Sequence, residues 1–201
     1  MNIAVFASGS GTNFQAIAEA IKEGRIKAEL SLLVCDKPSA YVLERAKKFG
    51  VEAFLIEKKN FLSKEDYEKE IVKKLKVKNI GLIVLAGYMK MIGPDILKAY
   101  KDKILNIHPA LLPAFKGTEG IKDAFEYGVK ITGPTVHFVD AEMDNGPIIM
   151  QAPVNVEDSD TQESLSKKIH IEENRIYPEV IKLFVEGKLK IKGRKVETNG
   201  R

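Results

Sequence analysis

Two side chains that could hold an oxygen and move a proton stand two residues apart in the stretch LNIHPALLP, Leu105 to Pro113: the amide of Asn106 and the imidazole of His108, one of only three histidines in the chain. On an extended segment, residues i and i+2 project to one face, so both would meet the same ligand group. The stretch follows a predicted strand, and open α/β sheets place their ligands at the carboxyl ends of strands. An amide that donates to a carbonyl oxygen, beside an imidazole that gives or takes a proton, can run acyl transfer. The same pair also serves as a hydrogen-bonded loop anchor, and spacing alone leaves both readings open.

A carboxylate beside the imidazole would stabilise the charged ring and fix its tautomer. Asp144, in EMDNGP, is the acid best placed for this, because it follows a strand and lies in a turn bounded by Gly146 and Pro147. Plain turn chemistry is the alternative. A calcium loop is excluded although Asp140, Glu142 and Asp144 alternate: it needs glycine at its sixth position and glutamate at its twelfth, where this chain has Asn145 and Gln151. Glu173 is a second unusual carboxylate, since Ile169, Glu173 and Ile176 share one helical face and turn it inward, where an unpaired charge is costly. It needs a protein cation, or a substrate carrying hydroxyls or an ammonium. His137, on an alternating strand, reads as a satisfied core histidine, and His170 as a solvated helix residue.

An anion site is readable near the start. In ASGSGTNFQAI, Gly9, Gly11, Thr12 and Asn13 link a strand to a helix, so that free backbone N–H groups and the helix dipole converge on one spot. The dinucleotide fingerprint would require glycine at Phe14, and no Walker lysine follows, so a mononucleotide-type phosphate fits better. A tight turn feeding a capped helix is the alternative.

These groups need a frame. Predicted strands at 2–7, 29–35, 52–56 and 81–86 alternate with helices, the pattern of a parallel, doubly wound sheet. Phe14, Ile17, Ala18 and Ile21 share one helix face, and Ser63 with Asp66 forms a capping box before Tyr67, Ile71 and Leu75. After ILNIH come a helix near 120–127 and two strands, TVHFVD and PIIMQAPVNV, whose DAEMDNG connection is short enough for antiparallel pairing. The second half is therefore expected to extend the first sheet as a mixed one. Asp160 and Glu163 are expected to cap a long helix striped by Leu165, Ile169 and Ile176, with Pro178 kinking or restarting it.

Composition narrows the function classes. With 201 residues, 44% of them hydrophobic, the chain can bury a substantial core. No apolar run approaches the roughly 20 residues that span a bilayer, and the start, NIAVFA, reads as a strand, so a cytoplasmic protein with no membrane partner is expected. The lone Cys35 lies in an apolar run and reads as a buried structural thiol. The net charge is +4, and the tail alone more than accounts for it, since Lys188, Lys190, Lys192, Arg194, Lys195 and Arg201 face only Glu197 and the rest of the chain is close to neutral. Without tryptophan, and with few aromatics to interleave with those cations, nucleic acid is not an expected partner, and the tail reads as a solvated strand or arm.

Taken in order, NIAVFASGSGTNFQAI, VLAGYMKMI, LNIHPALLPAFKG, TGPTVHFVDAEMDNGPIIMQ and EENRIYPEVI resemble the phosphoribosylglycinamide formyltransferase family, folate-dependent enzymes of purine synthesis. The resemblance covers essentially the whole chain. It implies a Rossmann-like, mostly parallel sheet extended by antiparallel C-terminal strands, in a single formyltransferase domain over 1–201. Within it, 1–100 would bind the nucleotide phosphate, 101–186 would hold the catalytic and folate sites, and 187–201 would be the basic tail. The implied reaction is attack of the glycinamide ribonucleotide amine on the formyl carbon of 10-formyltetrahydrofolate, with no metal, in a monomer or homodimer. Asn106 would hold the formyl oxygen, His108 would transfer protons and stabilise the oxyanion, and Asp144 would keep the ring protonatable. Gly11, Thr12 and Asn13 would hold the phosphate, and Glu173 the ribose or glycinamide end. The pterin would lie against Met89, Lys90, Met91 and Ile92 and the loop of Asp140, Ala141, Glu142, Met143 and Asp144, with Asn106 beside it and Lys64 near the acidic tail of the folate. One departure is Glu119, where the family commonly has histidine, which puts a second proton carrier at that position in question. Rival readings are a formyltetrahydrofolate hydrolase using the same triad on water, a dinucleotide oxidoreductase with Asp36 on the ribose, and a non-catalytic folate or nucleotide sensor.

Overall fold

The computed structural model of the chain describes residues 1–199. The last two residues of the predicted basic tail, Gly200 and Arg201, lie outside the described residues. The chain divides into two compact units, Met1–Leu105 and Asn106–Arg201.

The first unit is built on β1 (Asn2–Ala7), β2 (Glu29–Cys35), β3 (Ala53–Leu55) and β4 (Ile80–Leu85), ordered β4-β1-β2-β3 and all parallel. The predicted strands fall within a residue or so of these. Nearly every residue of β1 and β4 is buried, which is why their sequences are apolar without alternation. Between them run α1 (Thr12–Lys22), α2 (Val42–Phe49) and α3 (Lys64–Val77), followed by α4 (Pro94–Ala99). Helix α1 buries Phe14, Ile17 and Ala18. Helix α3 starts where predicted, with the Ser63 hydroxyl accepting the Asp66 N–H at 3.0 Å. Cys35 is buried, donates from Sγ to the Lys37 carbonyl at 3.2 Å, and has its thiol pKa pushed up by that burial.

Strand β5 (Ile104–His108) spans the boundary, its first two residues closing the first unit and its last three opening the second. The second unit continues with α5 (Gly120–Tyr127), β6 (Ile131–Thr132), β7 (Thr135–Phe138) and β8 (Ile148–Gln151), then β9 (Val154–Asn155) and α6 (Gln162–Val185). As the short connection requires, β7 and β8 are antiparallel. The end of the predicted strand PIIMQAPVNV separates as β9 and pairs with β6 instead. The tail is a hairpin of β10 (Leu189–Lys192) and β11 (Lys195–Thr198), and β11 joins β8 in parallel. The result is a mostly parallel α/β sheet extended by antiparallel strands.

Two expectations for α6 are corrected. Its N-cap is Thr161 in a reciprocal capping box with Ser164, and the Asp160 carboxylate accepts from the Ser164 hydroxyl at 2.7 Å and pairs with Lys168 at 2.7 Å. Pro178 lies inside one continuous helix and does not restart it. Leu165 and Ile169 pack with Val154 as a buried cluster flanked by Ile121, Phe125 and Val156, which seats the helix on its unit. Among the described residues no helix is long and apolar enough to cross a membrane.

Candidate active site

In the first unit, the loop leaving β1 enters α1 through Gly11, whose φ of 76° is left-handed and whose side-chain position is filled: a Cβ there would stand 2.5 Å from Val42 Cγ2. The N-cap is Gly11 itself, which has no side chain to cap the first turn of α1. The loop carbonyls are already engaged by α2, since Val42 N–H donates to Gly9 O at 3.1 Å and Arg45 Nε–H to Ser10 O at 2.8 Å. With those lone pairs answered, the loop offers amide donors to an anion, and the Arg45 guanidinium adds a cation that sequence reasoning missed. Thr12 and Asn13 form the first turn of the helix.

Ser8, just before this loop, engages both its amide and its hydroxyl. Its N–H donates to Gly87 O at 3.1 Å, its Oγ accepts the Met89 N–H at 2.9 Å, and its hydroxyl donates to Asp36 Oδ1 at 2.5 Å. Asp36 is buried and lies 3.9 Å from Lys90 Nζ, so its carboxylate serves the loop rather than a ribose. Tyr88 packs edge-on against Phe6 and its hydroxyl meets that of Tyr67 at 2.6 Å; burial pushes both phenols up. The segment carrying Met89, Lys90, Met91 and Ile92 is thus fixed from beneath while Met89 and Met91 stay exposed, a polarizable apolar surface suited to a flat heterocycle. Lys64 pairs with the buried Glu68 at 3.6 Å.

In the second unit, β5 presents Asn106 and the buried His108. Asp144 Oδ2 stands 3.4 Å from His108 Nδ1 and accepts the Gly117 N–H at 2.9 Å, while its Oδ1 accepts from Asn106 Nδ2 at 3.4 Å. The three predicted groups are therefore together. His137 is buried, as expected, yet it belongs to the same cluster: Nδ1 lies 2.8 Å from Phe138 O, and Nε2 lies 3.2 Å from Asn106 Nδ2 and 3.7 Å from Asp144 Oδ1. The signal for it was a Thr-x-His strand, which puts Thr135 and His137 on one face much as Asn106 and His108 share theirs.

His108 Nε2 lies 2.7 Å from Phe115 O, an acceptor only, so this nitrogen carries the proton and Nδ1 faces the carboxylate. A second proton at Nδ1 would turn a lone-pair repulsion into a charge-assisted hydrogen bond. Burial nevertheless holds the ring below the ordinary histidine value, with Asp144 and the Phe115 carbonyl offsetting only part. For Asp144, burial acts upward, but the His137 ring, the Gly117 N–H and His108 outweigh it and keep the carboxyl below its ordinary range. The arrangement suits proton transfer near neutrality beside a permanent negative charge.

The loop between β5 and α5 is rooted on Thr135. That hydroxyl donates to Ala110 O at 2.7 Å and accepts from Leu112 N–H at 3.0 Å and Gln151 Nε2 at 2.9 Å. In the neighbouring loop, Glu142 N–H donates to Asp140 Oδ1 at 3.0 Å, Met143 is exposed, and Asp144 adopts a left-handed φ of 49°.

Glu173 is buried on α6, and His170, read from sequence as solvated, is its partner: Nδ1 lies 2.9 Å from Oε2. That hydrogen bond raises the His170 pKa, with burial opposing. A ring whose proton is held more tightly in the folded chain adds stability below pH 6.5 and loses it as pH rises through the raised value. We expect the His170 imidazole, followed by NMR, to titrate above 6.5 and to fall to 6.5 or lower in Glu173→Gln. A midpoint untouched by that substitution would contradict the pairing. Among the described residues no group of three or more His, Cys, Asp or Glu side chains could hold a metal ion.

Residues 1–181 match the family described as formyl transferase. The phosphoribosylglycinamide formyltransferase of Bacillus subtilis (strain 168) is 49% identical over 179 residues, covering 89% of this chain and 92% of its own length. That of Escherichia coli (strain K12) is 37% identical over 191 residues, covering 95% and 90%. Among solved structures, glycinamide ribonucleotide transformylase 1 from Symbiobacterium toebii superposes with a TM-score of 0.97 at 46% identity, over 98% of this chain and 93% of its own.

Proposed function

The chain belongs to the formyl transferase family, and we propose that it transfers the formyl group of 10-formyltetrahydrofolate to the amine of glycinamide ribonucleotide. The observation that carries this reading is the cluster of Asn106, His108 and Asp144 at a strand end, with the imidazole held neutral and the carboxylate held charged at pH 7.

The amine attacks the formyl carbon, and the carbonyl oxygen takes negative charge in a tetrahedral intermediate. Asn106 Nδ2–H and His108 Nε2–H would donate to that oxygen, which displaces protein acceptors such as the Phe115 carbonyl. Asp144, charged throughout, stabilises the imidazolium form of His108 when it takes up a proton at Nδ1. The intermediate collapses by breaking the bond from the formyl carbon to the folate nitrogen; the attacking amine has lost one proton and the departing nitrogen gains one, carried by His108 while Asp144 stays ionised and holds the charged ring. In the first unit the amide donors of Gly11, Thr12 and Asn13 bind the ribonucleotide phosphate, with Arg45 adding charge. Glu173 binds the ribose or glycinamide end. In the first unit the Met89 to Ile92 segment is read as a pterin contact and Lys64 as a contact for the folate's acidic tail; in the second, the Asp140 to Asp144 loop is likewise read as a pterin contact. The substrates are small molecules of the cytoplasm, and no metal takes part.

The test follows formyl transfer by absorbance, with and without the ribonucleotide. Turnover that needs the ribonucleotide supports the proposal. Deformylation that ignores it points to a hydrolase on the same triad, and folate binding without turnover points to a sensor. Since the His108 pKa is depressed, kcat/KM should stay flat through neutrality and fall only on the acid side of pH 6.5 as the ring protonates in the free enzyme. A decline already under way above pH 7 would contradict this assignment.

A further inference from the structure

Asp144 holds a left-handed backbone conformation, with φ of 49°, which aspartate tolerates better than most residues, so the loop around it decides how firmly it is held. Its neighbour Asn145 is gripped twice: Lys116 Nζ donates to Asn145 Oδ1 at 3.0 Å, and Arg194 Nη1 donates to the main-chain Asn145 O at 2.6 Å. Beyond it, Gly146 passes so close to β7 that a Cβ would stand 1.8 Å from Phe138 O. Arg194 lies in the two-residue turn Gly193–Arg194, across which Lys192 pairs with Lys195. The hairpin is seated by Lys195 opposite Ile148, the first residue of β8, and Ile148 lies just past the Asp144 loop in sequence. Sheet pairing thus carries the turn to the loop. The hairpin, at 189–198, also lies beyond residue 181, where the family match stops.

We propose that Arg194 is a positioning residue for Asp144: its guanidinium fixes the Asn145 peptide and, through it, the carboxylate that faces His108. This deepens the formyl-transfer reading and rests on it for its kinetic consequences. A hydrogen bond from a cation to a carbonyl is stronger than a neutral one, and small displacements of a catalytic group are expensive in rate. Loosening the loop in Arg194→Ala is expected to lower kcat about tenfold, with the ribonucleotide KM little changed. It also weakens the upward pull of Asp144 on the His108 pKa, so the acid limb of the kcat profile moves to lower pH.

The experiment compares wild type, Arg194→Ala, Arg194→Lys and Lys192→Ala by kcat, KM, pH profile and NMR titration of the His108 imidazole. Lysine at 194 should restore part of the rate, as should methylguanidinium added to Arg194→Ala. Lys192→Ala removes the ion pair to Glu197 at 2.7 Å inside the same hairpin and should keep wild-type kcat and titration. Wild-type kcat in Arg194→Ala, an equal loss in Lys192→Ala, or a His108 titration unmoved by Arg194→Ala would overturn the proposal. The titration needs no turnover, so a wild type that fails to transfer formyl defeats the functional reading while the clamp is still decided by the ring's pKa.

Discussion

Asp144→Asn is expected to lower kcat by about 1,000-fold while the protein stays folded. The substitution conserves volume, so the cause is chemical. Asp144 Oδ2 accepts the Gly117 N–H and faces His108 Nδ1, and Oδ1 accepts from Asn106. An amide must turn its NH2 toward one of these places. Facing Gly117 and His108 it sets a donor against the Gly117 N–H, and by donating to His108 Nδ1 it opposes the protonation that Asp144 favours; facing Asn106 it displaces the amide meant for the formyl oxygen. In both orientations the fixed negative charge is gone. Steady-state kinetics beside a thermal melt checks this: near wild-type kcat with an unchanged Tm would remove Asp144 from the mechanism.

Gly11→Ala is expected to cost about 2–4 kcal/mol of stability and to raise the ribonucleotide KM at least about tenfold. Two penalties combine. A φ of 76° is strained for any residue with a Cβ, and that Cβ would meet Val42 Cγ2 at 2.5 Å, at the start of α2. Relief requires α2 or the loop to move, and the loop's amide donors move with it. Denaturant unfolding gives the first number, and initial rates over ribonucleotide concentration give the second. A variant with wild-type stability and KM would show that the loop holds no phosphate.

What could be read from sequence was whatever local pattern determines. The runs of β1 and β4 are apolar on both faces because both faces are covered, and Ser63 is legible as a cap because its partner Asp66 is three residues away. At α6 the sequence reading placed the cap at Asp160 with Glu163, but the backbone caps on Thr161, and Asp160 turns to Ser164 and Lys168. The tail was read only as a solvated strand or arm; that it forms the β10–β11 hairpin and that β11 adds to β8 depend on pairing that nothing local specifies.

At the candidate site the roles of Asn106, His108 and Asp144 came from residue type, strand periodicity and the family resemblance together. Their partners could not be read, because they are backbone groups and distant side chains: the Phe115 carbonyl, the Gly117 N–H and His137 meet the cluster only through loop paths. The same holds for Ser8, whose hydroxyl finds Asp36 and the Met89 amide across long separations in sequence. Glu173 was read as needing a partner, and His170, exposed as expected, supplies one from three residues away on α6, a pairing the solvated reading left out.

The saturation of the Thr135 hydroxyl has a consequence for hydrogen exchange. Leu112 belongs to a loop, yet its amide hydrogen is committed to an oxygen that also holds Ala110 and Gln151. Swapping that hydrogen for deuterium requires an opening that unseats the root on β7 and β8, so it should proceed on the slow clock of the sheet. The exposed residues Pro113 and Ala114 follow immediately, and past them the chain turns to His108 through Phe115. Motion that admits a substrate to the imidazole can therefore occur beyond a fixed point, with the catalytic strand left undisturbed.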